Sequence, residues 1–145
     1  MASKQREFLK AQALRQTERA NALDAQLTQD ERDEYYLLAL ALFAGAIGHR
    51  LGDEPTREDI GAFIAEMRYD YRNANPKVNF LAVETMIRAV FGEDQLLDDL
   101  PAKDQYLAQL PVIVKVVMQS EHMQQHLDDY LSDAEALAAQ WRSEG

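Results

Sequence analysis

Two histidines and a carboxylate are spaced so that they share one flank of a predicted helix. His122 and His126 are four residues apart, and Asp129 follows about one turn later. Imidazole and carboxylate groups at this spacing can bind a divalent transition metal. The pattern lacks the glutamate of the His-Glu-x-x-His zinc motif, because Met123 follows the first histidine, and it lacks the Glu-x-x-His pairs of di-iron bundles. We therefore keep these three residues only as candidates and predict no bound metal.

The densest polar and aromatic cluster lies near the end of another predicted helix. Glu66 and Asp70 are four residues apart, and paired carboxylates can divide the roles of general acid and base when burial separates their pKa values. Arg68 and Arg72 are also four residues apart, close enough in sequence to neutralise them, and Tyr69 lies between. We interpret the cluster as a solvated helix surface with local ion pairs, each contributing little. The alternative is a patch that binds a ligand or a partner.

Other signatures of chemistry are absent from the sequence. There is no cysteine, which excludes disulfides, thiolate metal sites and cysteine nucleophiles. There is no Gly-x-Gly-x-x-Gly or Gly-Lys-Ser/Thr phosphate loop, and no Gly-x-Ser-x-Gly. Gly45 and Gly48 lie inside a helical pattern, where small residues allow a neighbouring helix to approach closely. We predict no catalytic residues and no cofactor, and an enzymatic function is less expected than a non-enzymatic one.

Charge and composition restrict the classes of partner. The chain has 145 residues, with 25 acidic and 15 basic side chains and a net charge of −10. This acidic balance disfavours nucleic acids and anionic membranes as partners, since both attract positive charge. The polar N-terminal residues contain no apolar core of a signal peptide, and no later segment is predicted to span a membrane. The expectation is a small soluble protein in the cytoplasm.

The elements that must position these residues are organised around one apolar stretch. Residues 35–48 carry no charge and are rich in Leu, Ala and Phe, which favours helix over strand. Thr28 and Glu31 predict a capping box before this stretch, and Gly52 predicts a left-handed stop after it. The sequence thus predicts a buried central helix at 29–51.

Apolar spacing and turn residues predict helices on both sides of the central one. The expected segments are a helix at 3–26, a helix from 57 to about 72, a helix at 76–91 started by Asn75 and Pro76, a short turn at 94–99, a helix at 102–110, and a long helix at 112–141 after a break or bend at Pro111. Residues 112–117 are rich in β-branched side chains and form a strand in the alternative prediction. The fold class is all-α, a single bundle of five to six helices.

Residues 1–27 differ in charge from the remainder of the chain. They carry five basic and three acidic residues, against ten and twenty-two in 28–145. We divide the chain into an N-terminal helix, 1–27, that serves as an oligomerisation arm in one interpretation, and a helical-bundle domain, 28–145. The function expected from these features is a protein-interaction or regulatory module that acts as a homodimer. The alternative is a bundle that binds a ligand or metal near Glu66 and Asp70 or near His122 and His126.

Overall fold

The computed structural model describes residues 3–144 and contains helices without any strand in that range. It confirms an all-α single domain, with more helices than the five to six predicted. No helix in 3–144 combines the length and apolar character needed to cross a bilayer. The elements are α1 (Lys4–Ala13), α2 (Thr17–Asp24), α3 (Gln29–Leu51), α4 (Arg57–Asp70), α5 (Phe80–Val90), a 3₁₀ helix (Asp94–Asp99), α6 (Ala102–Met118), α7 (Glu121–Gln125) and α8 (Leu127–Glu144).

The central helix α3 begins and ends where its terminal residues predict. Thr28 Oγ1 accepts the amide of Glu31, and the Glu31 carboxylate accepts the amide of Thr28, so both halves of the capping box form. Gly52 follows the helix with φ of 83°, a conformation that other residues rarely adopt. Phe43 and Ile47 are completely buried. The helix packs against α1, α6 and α8, and it forms the centre of the core.

The N-terminal segment is two helices, so the prediction of one helix at 3–26 is wrong. Arg15 has φ of 59°, and the amides of Arg15 and Gln16 donate to the carbonyls of Gln12 and Ala11. This pair of bonds is a Schellman ending, which stops α1 and reverses the chain into α2. The position usually holds glycine, and Arg15 gives no such signal in the sequence. Leu9 of α1 is fully buried in the core of its own chain.

Helix α5 begins four residues later than predicted. Asn79, and not Asn75, is the N-cap, and its side chain accepts the amide of Ala82. Pro76 lies in the loop between α4 and α5. Asn75 and Asn79 are both suitable N-cap residues in the sequence, and the packing of the helix decides which of them caps it.

Pro111 does not break the helix that contains it. Helix α6 continues through Pro111 to Met118, so residues 112–117 are helical and the predicted boundary at 110–112 is wrong. The break falls at 119–120, where Ser120 caps α7 and the Gln124 side chain donates to the carbonyls of Val117 and Met118. A mid-helix proline removes one amide donor. Burial of the remaining α6 side chains offsets that loss.

Candidate functional site

The carboxylates of Glu66 and Asp70 belong to an ion network that joins three helices. Arg50 of α3 donates to both oxygens of Glu66, at 2.7 and 2.6 Å. Lys115 of α6 donates its Nζ to Asp70 Oδ2 and, at 3.0 Å, to Gln119 Oε1, and it lies 3.3 Å from Glu66 Oε1. The Lys115 side chain is only 3% exposed. The cations that neutralise the pair therefore come from α3 and α6, and neither one comes from α4 itself.

The arginines expected to neutralise this pair are engaged elsewhere. Arg68 lies over the ring of Phe80 at 5.0 Å, and Arg72 lies over Tyr69 at 4.1 Å. Arg72 Nη1 also donates to the carbonyl of Tyr69 at 2.6 Å. Tyr69 is 67% exposed. The five-residue patch predicted from sequence is thus divided into a paired carboxylate network and a separate stacked surface.

The network keeps both carboxylates ionised. The hydrogen bonds from Arg50 lower the pKa of Glu66, and the hydrogen bond from Lys115 lowers the pKa of Asp70. A general acid and base pair requires one carboxylate with a raised pKa. Both carboxylates favour the charged form, and their ion pairs join α4 to α3 and α6.

All three histidines of the chain meet at one corner of the bundle. The rings of His49 and His122 are stacked with centroids 5.6 Å apart, and the centroids of His122 and His126 are 4.6 Å apart. The two ring nitrogens of His49 lie 3.2 Å from Ser120 Oγ and 3.2 Å from the Tyr130 hydroxyl. Sequence spacing alone linked His122 to His126 and missed His49, which belongs to the distant α3.

The third metal candidate, Asp129, lies beside only one of these histidines. Its Oδ2 is 3.6 Å from Nδ1 of His126, and its side chain is 83% exposed. Across residues 3–144, no group of three or more His, Cys, Asp or Glu side chains is arranged to hold a metal ion. The corner is a stack of aromatic rings linked by hydrogen bonds.

A further feature, which the sequence patch did not include, is an apolar face of α6 that points away from the core. Five residues at helical positions i, i+3, i+4, i+7 and i+11 form it, and we call them the α6 stripe: Leu107, Leu110, Pro111, Val114 and Met118. Leu107 is 54% exposed and Met118 is 41% exposed, while the other three are half-buried. The opposite face, with Val112 and Ile113, is fully buried.

Three open clefts lie along this stripe. Their volumes are about 500, 420 and 170 Å³, and all three are lined by Arg15 and Val114. The turn between α1 and α2 forms one wall, and Asp70 with Tyr71 contributes to the other. The charged residues that line them are three basic and two acidic, in a chain with a net charge of −10: Arg15, Arg32, Lys115, Asp24 and Asp70.

These features define the protein as a small all-α bundle with an outward apolar stripe on α6. No protein-family model, curated protein or solved structure matches the chain. A function for this chain can therefore be proposed only from its residues and their geometry.

Proposed function

We propose that this chain is a protein-interaction module that acts as a homodimer, with the α6 stripe as the contact surface between the two copies. The observation that carries the proposal is that α6 has apolar residues on its outward face, the α6 stripe, as well as on its buried face, although Gln109 and Lys115 interrupt the apolar run. An apolar helix face is normally buried against another surface. A second copy seated on the stripe would complete that burial.

Charge supports a contact at this place. Two copies of a chain with net charge −10 repel each other, and the repulsion is smallest where acidic side chains are scarce or paired. Along the stripe, Asp70 is paired with Lys115 and Asp24 is paired with Arg32. Arg15 makes no ion pair with any residue of 3–144. The surface around the α6 stripe thus carries no excess of unpaired negative charge, unlike the chain as a whole.

The N-terminal segment supports the stripe as the contact in place of an exchanged arm. Helix α1 buries Phe8 and Leu9 against its own chain, and Arg6 and Lys10 pair with Asp128 of α8. Helix α1 therefore completes the core of the same chain, and an exchange of residues 1–27 between copies stays a prediction. The absence of cysteine fits a reducing compartment, and the proposal includes a cytoplasmic location.

The mass of the protein in solution tests the proposal, with Leu107→Glu as the perturbation. We expect the wild-type chain to have the mass of a dimer by light scattering and native mass spectrometry over a wide concentration range. Leu107→Glu places a carboxylate in the contact and should give a monomer, because a buried unpaired charge is strongly unfavourable. Leu81→Glu is the matched control, since Leu81 is 72% exposed on α5 and does not belong to the α6 stripe.

Two results would contradict the proposal. One is a wild-type chain that stays monomeric at the highest concentration measured. The other is a dimer that Leu107→Glu leaves intact, which would move the contact away from the stripe. A mixed sample of wild type and Leu107→Glu adds a check, because the variant should fail to exchange into wild-type dimers.

A further inference from the structure

One buried polar group has no partner within the described chain. Gln109 of α6 is 4% exposed, and its Oε1 accepts no hydrogen bond from any residue of 3–144. It is the sole buried side-chain oxygen or nitrogen in that range without a partner. Buried amide groups are normally hydrogen-bonded, because leaving one unpaired is unfavourable. The exception therefore calls for a physical explanation.

Gln109 lies in the wall of a cleft that no residue of the α6 stripe lines, although Tyr36 and Tyr106 also line the stripe cleft of about 500 Å³. This cleft, which we call the Gln109 cleft, opens between α3 and α6 and has a volume of about 560 Å³. Sites for small molecules have volumes of about 300–1,000 Å³, are mostly apolar and carry few polar groups. Tyr36, Leu37, Leu40 and Tyr106 form the apolar and aromatic part of the wall.

The aromatic wall is accessible to a ligand. Tyr36 is 43% exposed, and its ring meets that of Tyr106 edge to face with centroids 4.9 Å apart. The hydroxyl of Tyr106 is already bonded to that of Tyr35 at 2.7 Å. The ring of Tyr36 thus offers a flat apolar surface, on which a planar group can pack.

The charges of the cleft favour a neutral ligand. Its two charged side chains, Asp33 and Lys103, are exposed and of opposite sign. The other glutamine of the wall, Gln105, donates its Nε2 to the carbonyl of Leu100 at 2.8 Å. Of the two glutamines in the wall, Gln109 is therefore the one whose amide oxygen has no partner in 3–144.

We propose that the Gln109 cleft binds a neutral small molecule with a planar apolar body and one N–H or O–H group that donates to Gln109. Stacking against Tyr36 holds the body, and the donor satisfies the amide oxygen. Because Oε1 is itself buried, the proposal requires a half-turn of this amide, which exchanges the oxygen with the similarly sized NH2 group and turns the oxygen toward the cleft. The inference goes beyond the proposed dimer and does not depend on it.

The test uses N-phenyl-1-naphthylamine, a neutral fluorescent probe with two aromatic groups and one N–H donor. We expect saturable binding to the wild-type chain, seen as enhanced fluorescence. In Gln109→Leu the probe should bind about three- to tenfold more weakly, the effect of one neutral hydrogen bond. The N-methyl derivative of the probe has no donor, so it should bind wild type and Gln109→Leu equally.

Stability and two further variants separate binding from folding. Gln109→Leu replaces an unpaired amide by an apolar group of similar shape, so its thermal midpoint should equal or exceed that of wild type. Ala102→Trp places a bulky ring at the rim of the cleft and should remove binding of both probes. Gln125→Leu makes the same chemical change at an exposed position and should bind like wild type.

Three outcomes would overturn the proposal. The first is absence of saturable binding to wild type. The second is binding that Ala102→Trp leaves unchanged, which would place the probe in another cleft. The third is an equal weakening of the binding of both probes in Gln109→Leu, which would show that the N–H group of the probe makes no hydrogen bond to Gln109. Repeating the titration with Leu107→Glu keeps the result independent of the dimer.

Discussion

Removing Asp70 should destabilise the protein more than removing Lys115, although the two side chains form one ion pair. The Lys115 side chain is 3% exposed, whereas that of Asp70 is 31% exposed. In Asp70→Ala, the ammonium stays buried with Gln119 and with Glu66, and Glu66 is shared with Arg50. In Lys115→Met, the group left without its partner is a carboxylate that water reaches. The loss of stability depends on which charge is left without its partner, and an unpaired buried charge costs more than an unpaired exposed one.

The magnitudes follow from these exposures. Deleting one partner of a buried ion pair costs about 3–5 kcal/mol. Because Glu66 remains 3.3 Å from Lys115 Nζ, we expect a loss of about 2–3 kcal/mol in Asp70→Ala. Solvent screens the carboxylate that remains in Lys115→Met, and methionine keeps the buried volume, so we expect about 1 kcal/mol or less. The difference corresponds to about 3–8 °C in thermal midpoint for a chain of this size.

Urea unfolding followed by helical circular dichroism measures these values. The double variant Asp70→Ala with Lys115→Met should be close to Lys115→Met alone, since no buried charge is left. Asp24→Ala is the matched control, because Asp24 pairs with Arg32 at 49% and 32% exposure and should have a much smaller effect. Equal losses in Asp70→Ala and Lys115→Met would refute the reasoning, as would a double variant less stable than either single one.

Acid and turn geometry give two further tests. Hydrogen bonds from Lys115 and Arg50 lower the pKa values of Asp70 and Glu66, so the unfolded chain binds more protons near their ordinary values of 3.8 and 4.5. The two carboxylates contribute their full stability above their ordinary pKa values, and this stability is lost as the pH falls through their lowered pKa values in the folded chain. When the unfolding free energy is measured as a function of pH, Asp70→Ala should therefore lose less stability in acid than wild type. An equal loss would mean that the pair is not linked to stability. Arg15→Gly should raise the unfolding free energy by about 0.5–1 kcal/mol, because glycine adopts positive φ without a steric cost. Arg15→Ala should give no gain, since alanine has the same steric cost as arginine at this position. Urea unfolding measures both variants, and an Arg15→Gly variant less stable than wild type would contradict the prediction.

Features that depend on a few neighbouring residues could be predicted from the sequence. The start of α3 needs only Thr28 and Glu31, and its end needs only Gly52, so the bounds 29–51 were predicted correctly. The cap of α4 is similar, with Thr56 and Asp59 three residues apart. In each case the hydrogen bonds that fix the boundary join residues within one helical turn.

Features that depend on packing between distant segments could not be predicted in this way. Arg15 adopts positive φ because the ending of α1 requires it, and an arginine carries no sign of that role. Pro111 stays inside α6, whose inner face packs against α3 and α5. The partners of Glu66 and Asp70 lie on α3 and α6, so spacing within α4 pointed to Arg68 and Arg72 instead.

The two faces of α6 allow folding and association to be perturbed separately. Val112 and Ile113 are fully buried, so shortening either side chain removes core contacts and must lower stability. Leu107 is 54% exposed, and its replacement by glutamate removes little area that the single chain buries. If Leu107→Glu abolishes association while the unfolding free energy of the monomer is unchanged, Leu107 serves association and is not needed for the chain's own core. That result would fit a specific contact at the α6 stripe, since large exposed apolar patches commonly mark interaction sites.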